Sequence, residues 1–591
     1  MSSPTISRVE AGTETYPLLT DEQLARMQHF AMRRAVAKGE ILYRPGDIGV
    51  PFYVLLSATI EIVQLDGDGE RPVAQLYPGM FTGEAGMFGG HRAIVLARIF
   101  EAGEVLEITP DNLRFLVSGD TEISDVLIRA FIRRRLMLVT RELGNVLILG
   151  SPNSPDVIRL REFLGRVGHP YMYFDLDRDI GGAGKSLLDR FGVSITETPL
   201  VICNGKTVMR NPTLIQLADF LGLNDDSQKS LIHDLVIVGA GPAGLAAGVY
   251  AASEGLDVLL VDRHAPGGQA GASSKIENYL GFPTGISGQE LAANAVAQAR
   301  RFGAKLAIAQ GIVGFRGQSQ PYELVTDDGR VFCAKSVVIA TGARYKKPDV
   351  GRLSDFEGRG VYYSATNIEA QLCKGDNVVV VGGGNSAGQA AVFLSQVARK
   401  VYMLVRSADL SQTMSHYLTR RIEANPSITL LCNTELVALS GDSSLEEACW
   451  HNRSIDQTTS HRIKHVFVMA GASPNTEWLQ GCIALDRKGF ILTGLDLSLS
   501  PHPEIMPSWS LRRSPYHFEC SLPGVFAIGD ARAGSIKRVA SAAGEGAISV
   551  SLVHQALAEF SKLRRDEGPP PPSEVPWSSI YNSLDQMPAL G

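Results

Sequence analysis

The sequence predicts a multidomain chain: a β-rich roll, a small α/β unit, and two larger α/β domains, the second inserted into the first. Three observations carry this. Short β-branched runs broken by glycine fill the first 145 residues, and from residue 146 the pattern turns to alternating strands and helices. Two strand–glycine loop–helix units then begin 143 residues apart, at Gly239 and Gly382. A chain of 591 residues has room for several domains of ~100–200 residues each.

Composition narrows the class of function. With 45% hydrophobic residues and 60 glycines the chain is globular rather than disordered or fibrous. A net charge of −6 and the lack of a long basic run exclude nucleic acid as the expected partner. No stretch reaches 18 apolar residues, so no membrane association is expected. The start, "MSSPTISRVEAGTETYPLL", has no basic segment followed by an apolar core, so the expectation is a cytoplasmic protein. Cysteines stand at 203, 333, 373, 432, 449, 482 and 520, and no two are three apart. Without a C-x-x-C the usual zinc and vicinal-dithiol patterns are excluded, and no metal is expected. Scattered thiols fit a reducing compartment.

Residues 1–21 are expected to be an N-terminal tail. The roll, 22–143, contains "PFYVLLSATIEIVQL" at 51–65 and "AIVLARIFEAGEVLEI" at 93–108, and closes on the helical segment 123–143. The α/β unit, 146–223, reads "VLILG", "SPDVIRLREFLGRVG", "YMYFDLD", "TPLVICNG" and "LIQLADFLGL", and a polar linker at 224–230 follows it. The large α/β region divides into 232–345 with 475–562 as one domain and 346–474 as the insert. The Pro-rich segment 563–591 reads as a flexible tail.

The two glycine units carry the chemistry. In "DLVIVGAGPAGLAAGVYAASEGLDVLLVDR", Gly239, Gly241 and Gly244 follow an apolar strand and open a helix, and Asp262 closes the next strand. The glycines let a pyrophosphate approach the helix N-terminus, and the carboxylate accepts from ribose hydroxyls. In "NVVVVGGGNSAGQAAVFLSQVARKVYMLVR", Gly382, Gly384 and Ala387 repeat the fingerprint. The count from Gly239 to Asp262, transferred to Gly382, lands on Val405, with Arg406 next. An acid there would repel a 2′-phosphate and an arginine accommodates it, so NADPH is expected over NADH. Both domains are therefore Rossmann-like. "VVIATGA" (337–343) is a strand ending in a small-residue turn, and Asp530 follows another strand, before a helix opening near Ala540. Such an aspartate suits a flavin ribityl chain, and a helix N-terminus suits the electron-rich end of the ring.

Residues 232–560 resemble the thioredoxin-reductase family of flavoproteins. The resemblance rests on "GAGPAG", "PGGQAGASSKIENYLGFPTGISGQEL", "IATGA", "GGGNSA", "VFVMAGASPNT" and "AIGDAR…KRVASAAGEG". It implies FAD at the first site, with Gly268, Gln269, Asn278 and Gly342 near it. Asp530 would contact the ribityl, and Arg538, Val539 and Ala540 would line the ring. NADPH would lie at the second site, with Asn385 and Ser386 beside the glycines, and a homodimer is implied. Where the family commonly has His-Arg-Arg for the 2′-phosphate, this chain has Val405-Arg406-Ser407.

The departure that matters most is sulfur. The family's Cys-Ala-Thr-Cys reads Ser364-Ala365-Thr366-Asn367 here, so no catalytic residue is assigned at Ser364 or Asn367. Cys373, the nearest thiol, is alone and reads as structural. Residues 146–223 resemble the thioredoxin or glutaredoxin fold, with Thr198-Pro199 matching its cis-proline, yet Ser151-Pro152-Asn153-Ser154 stands where redox cysteines belong. Two separate losses predict that electrons leave to a non-dithiol acceptor, either an electron carrier or a small molecule. Alternatives are a flavin oxidase tailoring a small metabolite, a thioredoxin-disulfide reductase by homology, and a redox or cyclic-nucleotide sensor without catalysis. Residues 22–143 resemble a cyclic-nucleotide-binding domain on "GEILYRPGD", "PFYVLLSATIEI" and "PGMFTGEAGMFGGHRAIVLARI", which implies Glu84 on ribose and Arg92 on the cyclic phosphate. Between the two the stretch is about one residue short, and His91 stands where proline is common. Trp577 or Tyr581 of the tail is a further candidate to fold over the flavin.

Overall fold

The computed structural model describes residues 12–566, apart from positions 48, 153, 274, 412 and 510 and segments 67–68, 84–91, 141–145, 179–182, 204–206, 225–231 and 500–508. Glu84, His91, Asn153, Trp577 and Tyr581 lie outside the described residues, as does the side chain of Asn367.

Two antiparallel sheets make the N-terminal roll. Met32–Val36, Gly103–Ile108 and Phe52–Leu55 form one, and Ile41–Tyr43, Leu96–Glu101, Thr59–Asp66 and Gly69–Leu76 the other. Helix Thr121–Thr140 closes the roll, its Phe131 ring meeting Phe52 and Phe81 edge-on at 5.9 and 6.0 Å. Over residues 12–20 the expected N-terminal tail is corrected. Tyr16 and Leu19 are buried, the Arg134 guanidinium lies over the Tyr16 ring, and Thr20 forms a capping box with Gln23 at helix Asp21–Gln28. Burying an aromatic and a leucine holds this strap against the roll despite its polar sequence.

The second unit is a four-stranded sheet in the order Thr207–Arg210, Leu200–Cys203, Val146–Gly150, Tyr171–Asp175. Its parallel pair, Val146–Gly150 with Tyr171–Asp175, is connected by helix Pro155–Arg166, and the Thr198–Pro199 bond is cis. Val157, Leu160 and Leu164 of that helix belong to one apolar core with Leu235, Ala299 and Leu306 of the next domain. The two units are thus packed as one body rather than joined loosely across the linker.

A seven-stranded sheet follows, centred on His233–Val238 between Val258–Asp262 and Val331–Ile339, all parallel, with Val525–Ala527 added from much later in the chain. The inserted domain has a five-stranded parallel sheet around Asn377–Val381. The strands that leave and re-enter the first domain, Ala343–Tyr345 and Ala472–Pro474, pair antiparallel. Helix Val539–Asp566 returns the chain to the first fingerprint helix, Pro242–Ser253. It runs past 563, where the tail was expected to begin, and Phe560 packs on Gly524 three residues before that point. Among the described residues no helix is long and apolar enough to cross a membrane.

Candidate functional site: a dinucleotide cavity between two fingerprint loops

The first fingerprint is forced into shape by backbone proximity. Gly239 has φ +109°, and a Cβ there would lie 2.3 Å from the Ala340 carbonyl oxygen. A Cβ at Gly244 would lie 1.8 Å from the Gly239 carbonyl oxygen, so neither position tolerates a side chain. Gly241 has room beside it, since a Cβ there would come no closer than 3.8 Å to the Gly268 backbone. Asp262 accepts from the backbone N–H groups of Ala240 (2.8 Å) and His264 (2.9 Å). Burial pushes its carboxyl pKa upward against these two bonds.

A cavity of about 770 Å³ opens from these loops and runs to the second domain. It brings together most of the expected first-site residues: Gly239, Gly241, Asp262, Gly268, Gln269, Asn278, Gly342, Asp530, Arg538 and Val539. Gly244 lies behind the loop, and Ala540 follows Val539 inside the first turn of the 28-residue helix whose N-terminus meets the cavity. Burial pushes the Asp530 carboxyl up, with Lys537 nearby drawing it back. The arrangement at Gly529–Asp530 is held by Glu545, which accepts from the Gly529 N–H (2.6 Å) and pairs with Arg532 (2.6 Å).

At its other end the cavity takes in Asn385 and Ser386 of the second fingerprint. Gly382 has φ +145° and a Cβ there would lie 2.5 Å from the Met469 carbonyl oxygen. Gly384 is the N-cap of helix Asn385–Leu394, and Ala387 is buried beneath it. Arg406 stands exposed after strand Lys400–Leu404, outside the cavity lining.

Several cavity residues carried no sequence signal. Gln310 Oε1 and Thr341 Oγ1 are buried and have no partner among the described residues. Asn475 donates to the Thr341 carbonyl (2.9 Å), tying the two crossing strands together. Arg166 enters from the 146–223 unit. A phosphate- or ribose-bearing ligand is what leaves room for orphaned acceptors and donors in a cavity of this size.

The loop at 364–367, where the resemblance led one to expect a dithiol, sits elsewhere. Ser364 Oγ donates toward Glu162 Oε1 and Glu369 Oε1, both at 3.4 Å, and Glu369 also accepts from the Thr366 N–H (2.7 Å) and hydroxyl (2.5 Å). Cys373 is fully buried, and burial pushes its thiol up to about 11. It is not a thiolate at neutral pH. In the 146–223 unit Ser151 donates to Asp177 (2.7 Å). All seven cysteines are unpaired, and among the described residues no His/Cys/Asp/Glu cluster could hold a metal ion.

In the roll, Arg92 donates to the Gly46 carbonyl (3.0 Å), has its Nε buried without a partner among the described residues, and packs against Gly222. The roll's own cavity, about 60 Å³, is lined by Tyr16, Tyr43 and Arg134 rather than Arg92.

Two fingerprint loops sharing one cavity define a flavin- and nicotinamide-binding oxidoreductase. The pyridine nucleotide-disulphide oxidoreductase family matches residues 233–546, more than half of the chain, and the chain belongs to it. A cyclic nucleotide-binding domain matches 33–120. The thioredoxin reductase of Borreliella burgdorferi is 33% identical over 270 residues, 45% of this chain and 81% of that protein. NADPH-dependent thioredoxin reductase 3 of Arabidopsis thaliana is 31% identical over 376 residues, 61% of this chain and 66% of that protein. An NADH dehydrogenase of Bacillus subtilis is 26% identical over 418 residues, 70% of this chain and 75% of that protein. The chain is a thioredoxin-reductase-like, NAD(P)H-dependent flavoprotein, and the cofactors of that family are FAD and NADPH.

Proposed function

We propose that this enzyme takes electrons from NADPH and delivers them to an acceptor that is not a dithiol. Bound FAD supplies acceptance of two electrons from NADPH and their release singly or in pairs. Gly239 and Gly241 admit the pyrophosphate of FAD, Asp262 accepts from its ribose, and Asp530 holds the ribityl chain. The helix N-terminus at Arg538–Val539–Ala540 stabilises negative charge on the ring. Gly382, Gly384, Asn385, Ser386 and Ala387 cradle NADPH, and Arg406 offers its guanidinium to the 2′-phosphate. The continuity of the cavity from Gly239 to Ser386 supports direct exchange between the two cofactors.

One observation carries the acceptor reading: neither loop that should hold a dithiol holds sulfur, and the one nearby thiol, Cys373, is buried and protonated. A hydroxyl and an amide accept no electrons. The Bacillus subtilis relative, named an NADH dehydrogenase, supports an acceptor outside thiol chemistry. Quinones, ferredoxin- or flavodoxin-type carriers, dioxygen and small metabolites are the candidates. Anaerobic mixing with NADPH should bleach the flavin within seconds. An acceptor panel that includes thioredoxin and an aromatic disulfide reagent then identifies the outlet. Efficient thioredoxin turnover overturns the proposal.

A regulatory input at the roll is a second reading, favoured by the domain match and by the open Nε of Arg92. Calorimetry with cyclic nucleotide, set against Arg92→Ala, tests it. The homodimer implied by the family resemblance is checked by light scattering against the 63.6 kDa chain mass.

A further inference from the structure

The 146–223 unit carries no cysteines except buried Cys203, yet it is packed into the molecule at several points. Arg300 donates to the Leu223 carbonyl (3.1 Å), the Ile308 N–H to Asn224 (2.7 Å), and the Gln289 amide to the carbonyl of Gly165. Its helix Pro155–Arg166 is the element that touches both functional regions. At the start of this helix, Pro155 packs against Gly358, where a Cβ would come within 3.1 Å, just before the loop that replaces the dithiol. Two turns on, Glu162 shares a hydrogen bond with Glu369, and Ser364 stands between them. One turn beyond, Arg166 lines the dinucleotide cavity beside Asp262 and His264.

Glu162 and Arg166 are four apart, so they project from one side of the helix. Glu369 is 1% exposed. Two carboxyls in a buried hydrogen bond require a proton between them, and such a pair closes only when the unit is seated. Arg166 makes no hydrogen bond or ion pair to any described residue. It acts on Glu162, Asp262 and His264 only through its charge. A guanidinium that no described residue engages, beside the acid that accepts from ribose, points into the space of the cofactor's adenosine half.

We propose that the 146–223 unit is a fixed component of the flavin site: seated on the former dithiol loop through Glu162, it lends Arg166 to the adenosine half of bound FAD. The module, which carries no dithiol, thus serves retention of the cofactor. This rests on FAD occupying the first site. It does not depend on which acceptor takes the electrons.

The test measures FAD dissociation from the full chain by flavin fluorescence, so it is independent of NADPH turnover. Arg166→Gln is expected to raise the dissociation constant about tenfold, the size of one lost charge-assisted contact. Arg166→Lys is expected to recover most of it. Glu162→Ala is expected to speed amide exchange across residues 155–166 and 358–372 and to weaken FAD in the same direction. Arg178→Gln, an exposed cation of the same unit, is expected to leave both unchanged. FAD affinity unchanged in Arg166→Gln overturns the cofactor role, and parental exchange in Glu162→Ala overturns the seating role.

Discussion

The carboxyl pair at the seated interface makes local stability depend on pH. Burial first, then the hydrogen bond and charge of Glu369, push the Glu162 carboxyl from 4.5 to about 8, with Arg166 and Ser364 drawing it down. Tyr362 and Cys373 also lie within electrostatic reach of Glu369, and burial keeps both neutral across the working range. A folded-state value raised above the unfolded one favours the protonated form. The contribution is therefore whole below about pH 4.5, declines as pH rises through about 8, and is gone above that. At ~1.4 kcal/mol per pH unit the ceiling is about 5 kcal/mol. Partial exposure of Glu162 and the screening it brings lower the expectation to ~2 kcal/mol. Amide exchange of residues 358–372, corrected for intrinsic rates, reads this opening free energy between pH 5 and pH 9. Glu162→Gln keeps a donor facing Glu369 without a titrating group. Wild type should lose ~2 kcal/mol of protection that Glu162→Gln retains. Parallel pH profiles for the two proteins would refute the shared-proton reasoning.

Other substitutions test the remaining assignments. Arg406→Ala should raise KM for NADPH about tenfold while changing KM for NADH little, as steady-state flavin reduction will show. Gly244→Ala should yield protein without bound FAD, seen in its absorbance spectrum, because the methyl would lie 1.8 Å from the Gly239 carbonyl oxygen. Glu519 is fully buried and accepts from Arg513 (2.6 Å), the Tyr516 N–H (2.9 Å) and the Gly524 N–H (2.7 Å), so Glu519→Ala should cost ~3–5 kcal/mol and lower the melting temperature. Cys373→Ala should leave NADPH-driven reduction of the preferred acceptor within about twofold, since a buried, protonated thiol takes no part in it.

Much of the site was legible in the sequence because its signals are local. Glycine spacing and the acid 23 residues after Gly239 describe one strand–loop–helix unit, whose hydrogen bonds close within its own segment. The absence of C-x-x-C is equally local and needed no coordinates. The strap at 12–19 was misread as a tail because its two buried residues, Tyr16 and Leu19, lie in a polar context without periodicity. The C-terminal helix was cut short by four residues, because the charged run Arg564-Arg565-Asp566 ahead of the prolines carries no apolar signal.

The sequence by itself determined the class of protein, its two nucleotide fingerprints and what it lacks. Only the tertiary structure decided that Glu162 meets Glu369 and Ser364, that Arg166 enters a cavity floored by Asp262, and that the two fingerprint loops open into one space. Those contacts join residues roughly 100 to 200 positions apart. No helical or strand period spans such distances, and they arise from how buried apolar faces pack whole units against one another.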